Sequence, residues 1–149
     1  MINVTELGEL IIPNNRKTIR KGEFSCREDI KSVFIPDGIR IIPMDAFGGC
    51  HNLERVRFPK DLKVIKEGAF CDCYKLSSLD LPEGLEVVEA IAFSKCFELT
   101  TLKIPGSVRE VGECAFDMCQ KLAHVEVGPH TMIGPLAFHE CPCENDVPK

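Results

Sequence analysis

A repeat solenoid of α/β type, with a parallel β-sheet on one face and short strands and helical turns on the other, is the fold this sequence predicts. Three observations predict it. An apolar residue followed by proline recurs at Ile35-Pro36, Phe58-Pro59, Leu81-Pro82 and Ile104-Pro105, a step of 23 each time. Ala-Phe pairs recur with the same step at Ala46-Phe47, Ala69-Phe70, Ala92-Phe93 and Ala115-Phe116, and a fifth, Ala137-Phe138, follows after 22. Cys50, Cys73, Cys96, Cys119 and Cys141 keep register, and Leu53, Leu76, Leu99 and Leu122 stand three residues after the first four. Several columns in phase at one period in the twenties mark a stacked array, because no single unit can bury its apolar face alone.

In chain order, residues 1–12 form a partial repeat, with Leu7, Leu10 and Ile12 standing 23 before Ile30, Val33 and Ile35. Residues 13–35 are a degenerate unit: Phe24 keeps the phenylalanine column, Glu23 replaces the alanine, and Cys26 falls one short of the cysteine column. Four regular units cover 36–127, a truncated one covers 128–141, and the polar, proline-bracketed tail 142–149 is expected to be flexible. Atypical end units are what a stack requires, since its ends have no neighbour.

Each regular unit has three parts. Leu76 to Leu81 alternates Leu79, Asp80, Leu81 before Pro82, which predicts a short strand with one buried face. Leu85 to Val88 predicts a second extended segment. Ala92, Phe93, Cys96 and Leu99 lie at helical spacing, which predicts a short helical turn packed on the core. Stacked strands lie about 4.8 Å apart, so six rungs make a slab of roughly 25–30 Å.

Composition excludes several function classes. Hydrophobic residues make up 44% and charged residues 28%, and the net charge is −5. An acidic chain without a basic patch is not built for nucleic acid or for anionic membranes. There is no run of 18 apolar residues, so no membrane insertion is expected. The start, MINVTELGELIIPNN, has neither a basic stretch nor a long apolar one and is not read as a secretory signal, which leaves the compartment open.

The pattern IPxxVxxIGxxAFxxCxxLxxLxI, plainest in PGSVREVGECAFDMCQKLAHVEV at 105–127, closely resembles the BspA-like leucine-rich repeats over roughly residues 7–141. The resemblance implies a right-handed leucine-rich-repeat superhelix with its parallel sheet on one side. It also implies a role typical of bacterial and protist surface proteins, adhesion to other proteins or host components.

Nothing in the sequence forms a catalytic set. His51, His124, His130 and His139 sit in no motif with a nucleophile and an orienting acid, so no enzyme activity and no cofactor are expected. Nine cysteines raise the question of metal or disulfides, but equivalent residues on stacked rungs point the same way, and the column reads as packed free thiols. His139 with Cys141 and Cys143 comes nearest to a metal set, without the paired knuckles that zinc prefers, and no metal is assigned. Cys26, Cys71, Cys114 and Cys143 lie off the column and are expected to be the accessible thiols.

The outward sheet positions are the informative ones. Phe34, Arg57, Asp80, Lys103 and Glu126 recur at 23, flanked by Ser32, Arg55, Ser78, Thr101 and His124. Their alternating sign reads either as a solvated charge ladder that fixes register or as a polar binding surface. In the second reading Phe34 is an aromatic anchor, and Arg55, Arg57, Asp80, Lys103, His124 and Glu126 contact a protein partner. The column Ile41, Val64 and Val87 either lies at the edge of the core, the favoured reading, or faces out as an apolar stripe. Such a stripe, or an end rung, would serve the alternative function, a structural homo-oligomer.

Overall fold

The computed structural model describes residues 3–148. Ten short strands run in chain order: β1 (Glu9–Ile11), β2 (Ser32–Phe34), β3 (Ile41–Ile42), β4 (Arg55–Arg57), β5 (Val64–Ile65), β6 (Val87–Val88), β7 (Thr101–Lys103), β8 (Glu110–Val111), β9 (His124–Glu126) and β10 (Met132–Ile133). All pair in parallel with the equivalent residue of the neighbouring rung, for example Ile42 with Ile65 and Ile65 with Val88. The second extended segments make one five-stranded sheet, β10-β8-β6-β5-β3. The chain is therefore a parallel-strand solenoid.

The first extended segments differ from the expectation of a continuous sheet. They form a three-stranded sheet, β1-β2-β4, and a separate pair, β7-β9, with no strand at Leu76–Leu81 between them. Ser77 still donates to the Glu54 carbonyl at 3.2 Å, and the ladder then stops. The Ile35 and Ile104 amides each reach the next rung, at 3.0 and 2.8 Å, whereas those of Phe58 and Leu81 have no backbone partner among the described residues. The break falls where the column Ile12, Ile35, Phe58, Leu81, Ile104 takes its one aromatic residue. The Phe58 ring packs edge-on against Phe70, with centroids 5.6 Å apart, a contact that the aliphatic members of the column do not make. Hydrogen exchange should show this directly. The Phe58 and Leu81 amides are expected to exchange at least about tenfold faster than those of Ile35 and Ile104, and equal protection at all four would refute the broken ladder.

The expected helical turn is also replaced. Around each Ala-Phe pair the chain makes consecutive turns in which alternate amides bond locally and to the next rung. Ala69 donates to Lys66 within its own rung at 3.2 Å, while Phe70 donates to Ala92 of the next at 2.8 Å. The same inter-rung bond runs Phe24–Ala46, Phe47–Ala69, Phe93–Ala115 and Phe116–Ala137, between 2.7 and 2.9 Å. Two residues per turn take left-handed backbone to allow this, such as Asp45 with Gly49 and Ile91 with Lys95. A β-branched residue at positive φ, as at Ile91, is disfavoured alone, and the ladder bonds on either side hold it there. Helical spacing in the sequence thus reported which side chains point inward and not a helical backbone.

The core is a set of parallel stacks. Phe24, Phe47, Phe70, Phe93, Phe116 and Phe138 lie ring on ring at 5.2–5.3 Å. Beside them the cysteine column is buried, and each thiol donates to the carbonyl of a phenylalanine of the preceding rung: Cys50 to Phe24 at 3.1 Å, Cys73 to Phe47 at 3.3 Å, Cys96 to Phe70 at 3.6 Å, Cys119 to Phe93 at 3.3 Å and Cys141 to Phe116 at 3.0 Å. A cysteine fits here because it is small and apolar yet carries a weak donor for a buried carbonyl. Burial pushes the Cys50 thiol up to about 11 and Cys73 well above its ordinary value, so these two thiols stay protonated and unreactive. Cys96→Ala is expected to lower stability by about 1–3 kcal/mol, by leaving the Phe70 carbonyl without a donor and opening a small void. Urea melts would detect it, and an unchanged midpoint would show that the thiol ladder contributes nothing.

Both ends depart from the repeat in ways that cover part of the core. Glu23, in the alanine column, takes Arg16 on both carboxylate oxygens at 2.7 and 3.1 Å and the Arg20 amide at 2.9 Å. Burial works to raise the Glu23 carboxyl, but the Arg16 and Arg20 hydrogen bonds prevail and hold it below its ordinary value. At the other end the tail is not loose as far as Pro148. Glu144–Asp146 form a 3-10 turn, Cys143 donates to Leu122 at 3.1 Å, and Cys143 and Val147 are buried. Apolar side chains of the last rung need cover, and these residues supply it. At the start, Leu7 is 76% exposed and stands outside the core, unlike Leu10 and Ile12.

Candidate protein-binding face

The strands β1, β2 and β4 bury Leu10 and Val33, half-bury Val56, and turn the residues on either side outward. Period-two alternation does this, so each face position repeats once per rung. Phe34, Arg55, Arg57, Asp80, Lys103, His124 and Glu126 are all exposed. Register places Phe34 beside Arg57, Ser32 beside Arg55, Thr101 beside His124 and Lys103 beside Glu126.

The broken ladder divides these residues into two groups. Phe34, Arg55 and Arg57 line an open hollow of about 800 Å³ that also includes Ile11 and Phe58. Lys103, His124 and Glu126 line a second hollow of about 700 Å³. Ser78 and Asp80 border both. The first hollow is more apolar, with Ile11 54% and Phe34 43% exposed. Ile11 stands one period before Phe34 and continues the outward column into the partial repeat, a signal present in the 23-residue step itself.

Arg57 is held in place. Its guanidinium carbon lies 4.5 Å from the centre of the Phe34 ring, and Nη1 donates to the Ile35 carbonyl at 3.0 Å and to Asp37 at 3.1 Å. Asp37 also accepts the Lys60 amide at 3.0 Å. The Lys60 amide, first, and Arg57 hold the Asp37 carboxyl below its ordinary range, so the clamp persists at neutral pH. Nε and Nη2 of Arg57 have no partner among the described residues. The expected ladder of opposite charges does not form: no ion pair links Arg57, Asp80, Lys103 and Glu126, and Arg57 turns to Asp37 instead.

Other candidates separate from this face. His139 turns Nδ1 to Asp117 at 3.0 Å, and among the described residues no three side chains of metal-binding type converge. Of the off-column thiols expected to be accessible, Cys26 is exposed, Cys71 and Cys114 are partly covered, and Cys143 is buried with its thiol pushed up to about 12. The column Ile41, Val64, Val87 is mixed: Ile41 is 45% exposed and the two valines are half-buried. His51, Tyr74 and Phe97 stack in a surface row at 4.6 and 5.0 Å.

Residues 17–145 match the model of the BspA-type leucine-rich repeat region, in six copies. The chain belongs to the BspA-type leucine-rich repeat family. Among solved structures, the BspA-type chain is similar to a leucine-rich repeat protein of T. pallidum, TpLRR, at 22% identity and TM-score 0.78, covering 91% of this chain and 77% of that one. A leucine-rich repeat protein of Bacteroides ovatus aligns at 28% identity and TM-score 0.74, over 85% of this chain and 39% of its own. The pneumococcal vaccine antigen PcpA aligns at 22% identity and TM-score 0.53, over 87% of this chain and 28% of its own. No curated protein matches the sequence. BspA-type repeats are interaction scaffolds in general, and the fold described above is theirs.

Proposed function

We propose that this BspA-type protein is a non-enzymatic scaffold that binds a protein partner through the Ile11–Phe34–Arg57 half of its sheet face. The observation that carries the reading is Arg57, clamped by Asp37 and the Ile35 carbonyl over the Phe34 ring, with Nε and Nη2 left free. A guanidinium fixed in advance and flanked by exposed apolar side chains loses little freedom on binding. It suits a carboxylate beside an aromatic or aliphatic side chain on the partner. The opposite half, around Lys103, His124 and Glu126, supplies polar rim contacts. A cell-surface setting with adhesive function is the one the family resemblance favours.

Selection of a displayed random-peptide library on the immobilised protein tests this. Enrichment of peptides pairing Asp or Glu with a large apolar residue, lost on Arg57→Glu and kept on Lys103→Glu, is the expected result. Absence of enrichment, or equal loss with both variants, would sink the proposal.

A further inference from the structure

The two ends of the turn ladder carry complementary backbone groups. Each rung donates amides to the carbonyls of the next: Gly22, Phe24 and Cys26 to Met44, Ala46 and Gly48, and at the far end Cys114, Phe116 and Met118 to Pro135, Ala137 and His139. The first rung therefore presents the carbonyls of Lys21, Glu23 and Ser25, and the last presents the amides of Leu136, Phe138 and Glu140. None of these six groups has a hydrogen-bond partner among the described residues. On the sheet side each end is contacted by the chain itself. Thr5 donates to Glu9 at 3.0 Å at the start, and Cys143 donates to Leu122 at 3.1 Å at the end. The turn side has no such contact among the described residues, and β10 is likewise an unpaired edge of the five-stranded sheet.

Charge divides the same way. Residues 13–31 hold six lysines and arginines against three carboxylates, and residues 128–148 hold three carboxylates and no lysine or arginine. Arg20 and Lys21 are exposed at the first rung, and Glu140 and Glu144 at the last. The last rung also shows Leu136, 54% exposed, beside a hollow of about 360 Å³ whose walls include Phe138 and Val147.

We propose that this end binds a second copy of the chain head to tail. The amide row of one copy's last rung donates to the carbonyl row of the next copy's first rung, which sets the acidic end carrying Glu140 and Glu144 against the basic end carrying Arg20 and Lys21. An unpaired ladder edge is a template for the same ladder in another chain. The two surfaces differ, so the contact does not close on itself and the product is an open row of copies. It uses only part of each end, so the association is weak and salt-sensitive.

Sedimentation velocity of the intact chain tests it, at low salt (about 20 mM) and at high salt (about 500 mM). The mean mass is expected to rise with protein concentration past that of a dimer at low salt, and to return to the monomer at high salt. Glu140→Lys with Glu144→Lys in one chain, or Arg20→Glu with Lys21→Glu in another, should each abolish the rise. Mixing the two variants in equal amounts should restore it, because every junction is again between opposite charges. Thermal melts matching the parent would show both variants folded. Glu140→Gln with Glu144→Gln, which only removes charge, should weaken association without abolishing the fold. A monomer throughout at low salt, a mass that stops at a dimer, indifference to both reversals, or a mixture that stays monomeric would each overturn the proposal.

Discussion

Phe70→Ala is expected to lower the stability of the protein by about 3–5 kcal/mol, a large share of the about 5–15 kcal/mol that a domain has in total. The Phe70 ring is fully buried and stacks on Phe47 at 5.2 Å and Phe93 at 5.3 Å, with Phe58 edge-on at 5.6 Å. Removing it leaves a cavity that cannot collapse, because the inter-rung bonds from Phe47 to Ala69 and from Phe70 to Ala92, both 2.8 Å, fix the rungs on either side. Stability in a stack is a sum over neighbour interfaces, so a central ring weakens two of them. Phe24→Ala at the first rung, with one stacked neighbour, should cost visibly less. Urea unfolding followed by circular dichroism gives both values, and equal losses would mean that the stack is not additive in its neighbours.

Arg57→Glu should weaken peptide binding by about 30-fold or more, and Phe34→Ala by a similar factor. Central arginine and aromatic contacts contribute about 2 kcal/mol or more when they act as anchors, which converts to that ratio. The two effects should not add. Arg57 lies over the Phe34 ring, so removing either side chain disturbs the other. Lys103→Glu, in the second hollow, should change affinity by no more than about threefold, as a rim charge does. Titration of a selected peptide against the three variants separates these outcomes. A larger loss at Lys103 than at Arg57 would move the site to the other half of the face.

The columns were legible because a stack forces identical environments at identical positions. Ala92, Phe93, Cys96 and Leu99 are fully buried, as their repetition indicates, and so are their counterparts one unit before and after. The off-column residues carried less information. Cys143 and Val147 look like a polar tail in sequence, yet they cover the last rung. Their burial depends on an unfilled neighbouring position, which no local pattern encodes. Leu7 shows the converse, a column residue that is 76% exposed.

The candidate site followed the same division. Outward positions could be named from period-two alternation and the 23-residue step, because backbone geometry alone places them. Their partners could not. Alternating sign suggested a ladder across Arg57, Asp80, Lys103 and Glu126, but Asp37, 20 residues from Arg57, takes the charge instead. The break at Leu76–Leu81 likewise falls beside the packing of Phe58 on Phe70, a contact between rungs. Repetition determined the solenoid, its core columns and its outward positions, because each is a property of one unit copied along an axis. The division of the sheet face, the clamp on Arg57 and the unequal ends were decided only in three dimensions, because each arises where one unit differs from the unit it touches.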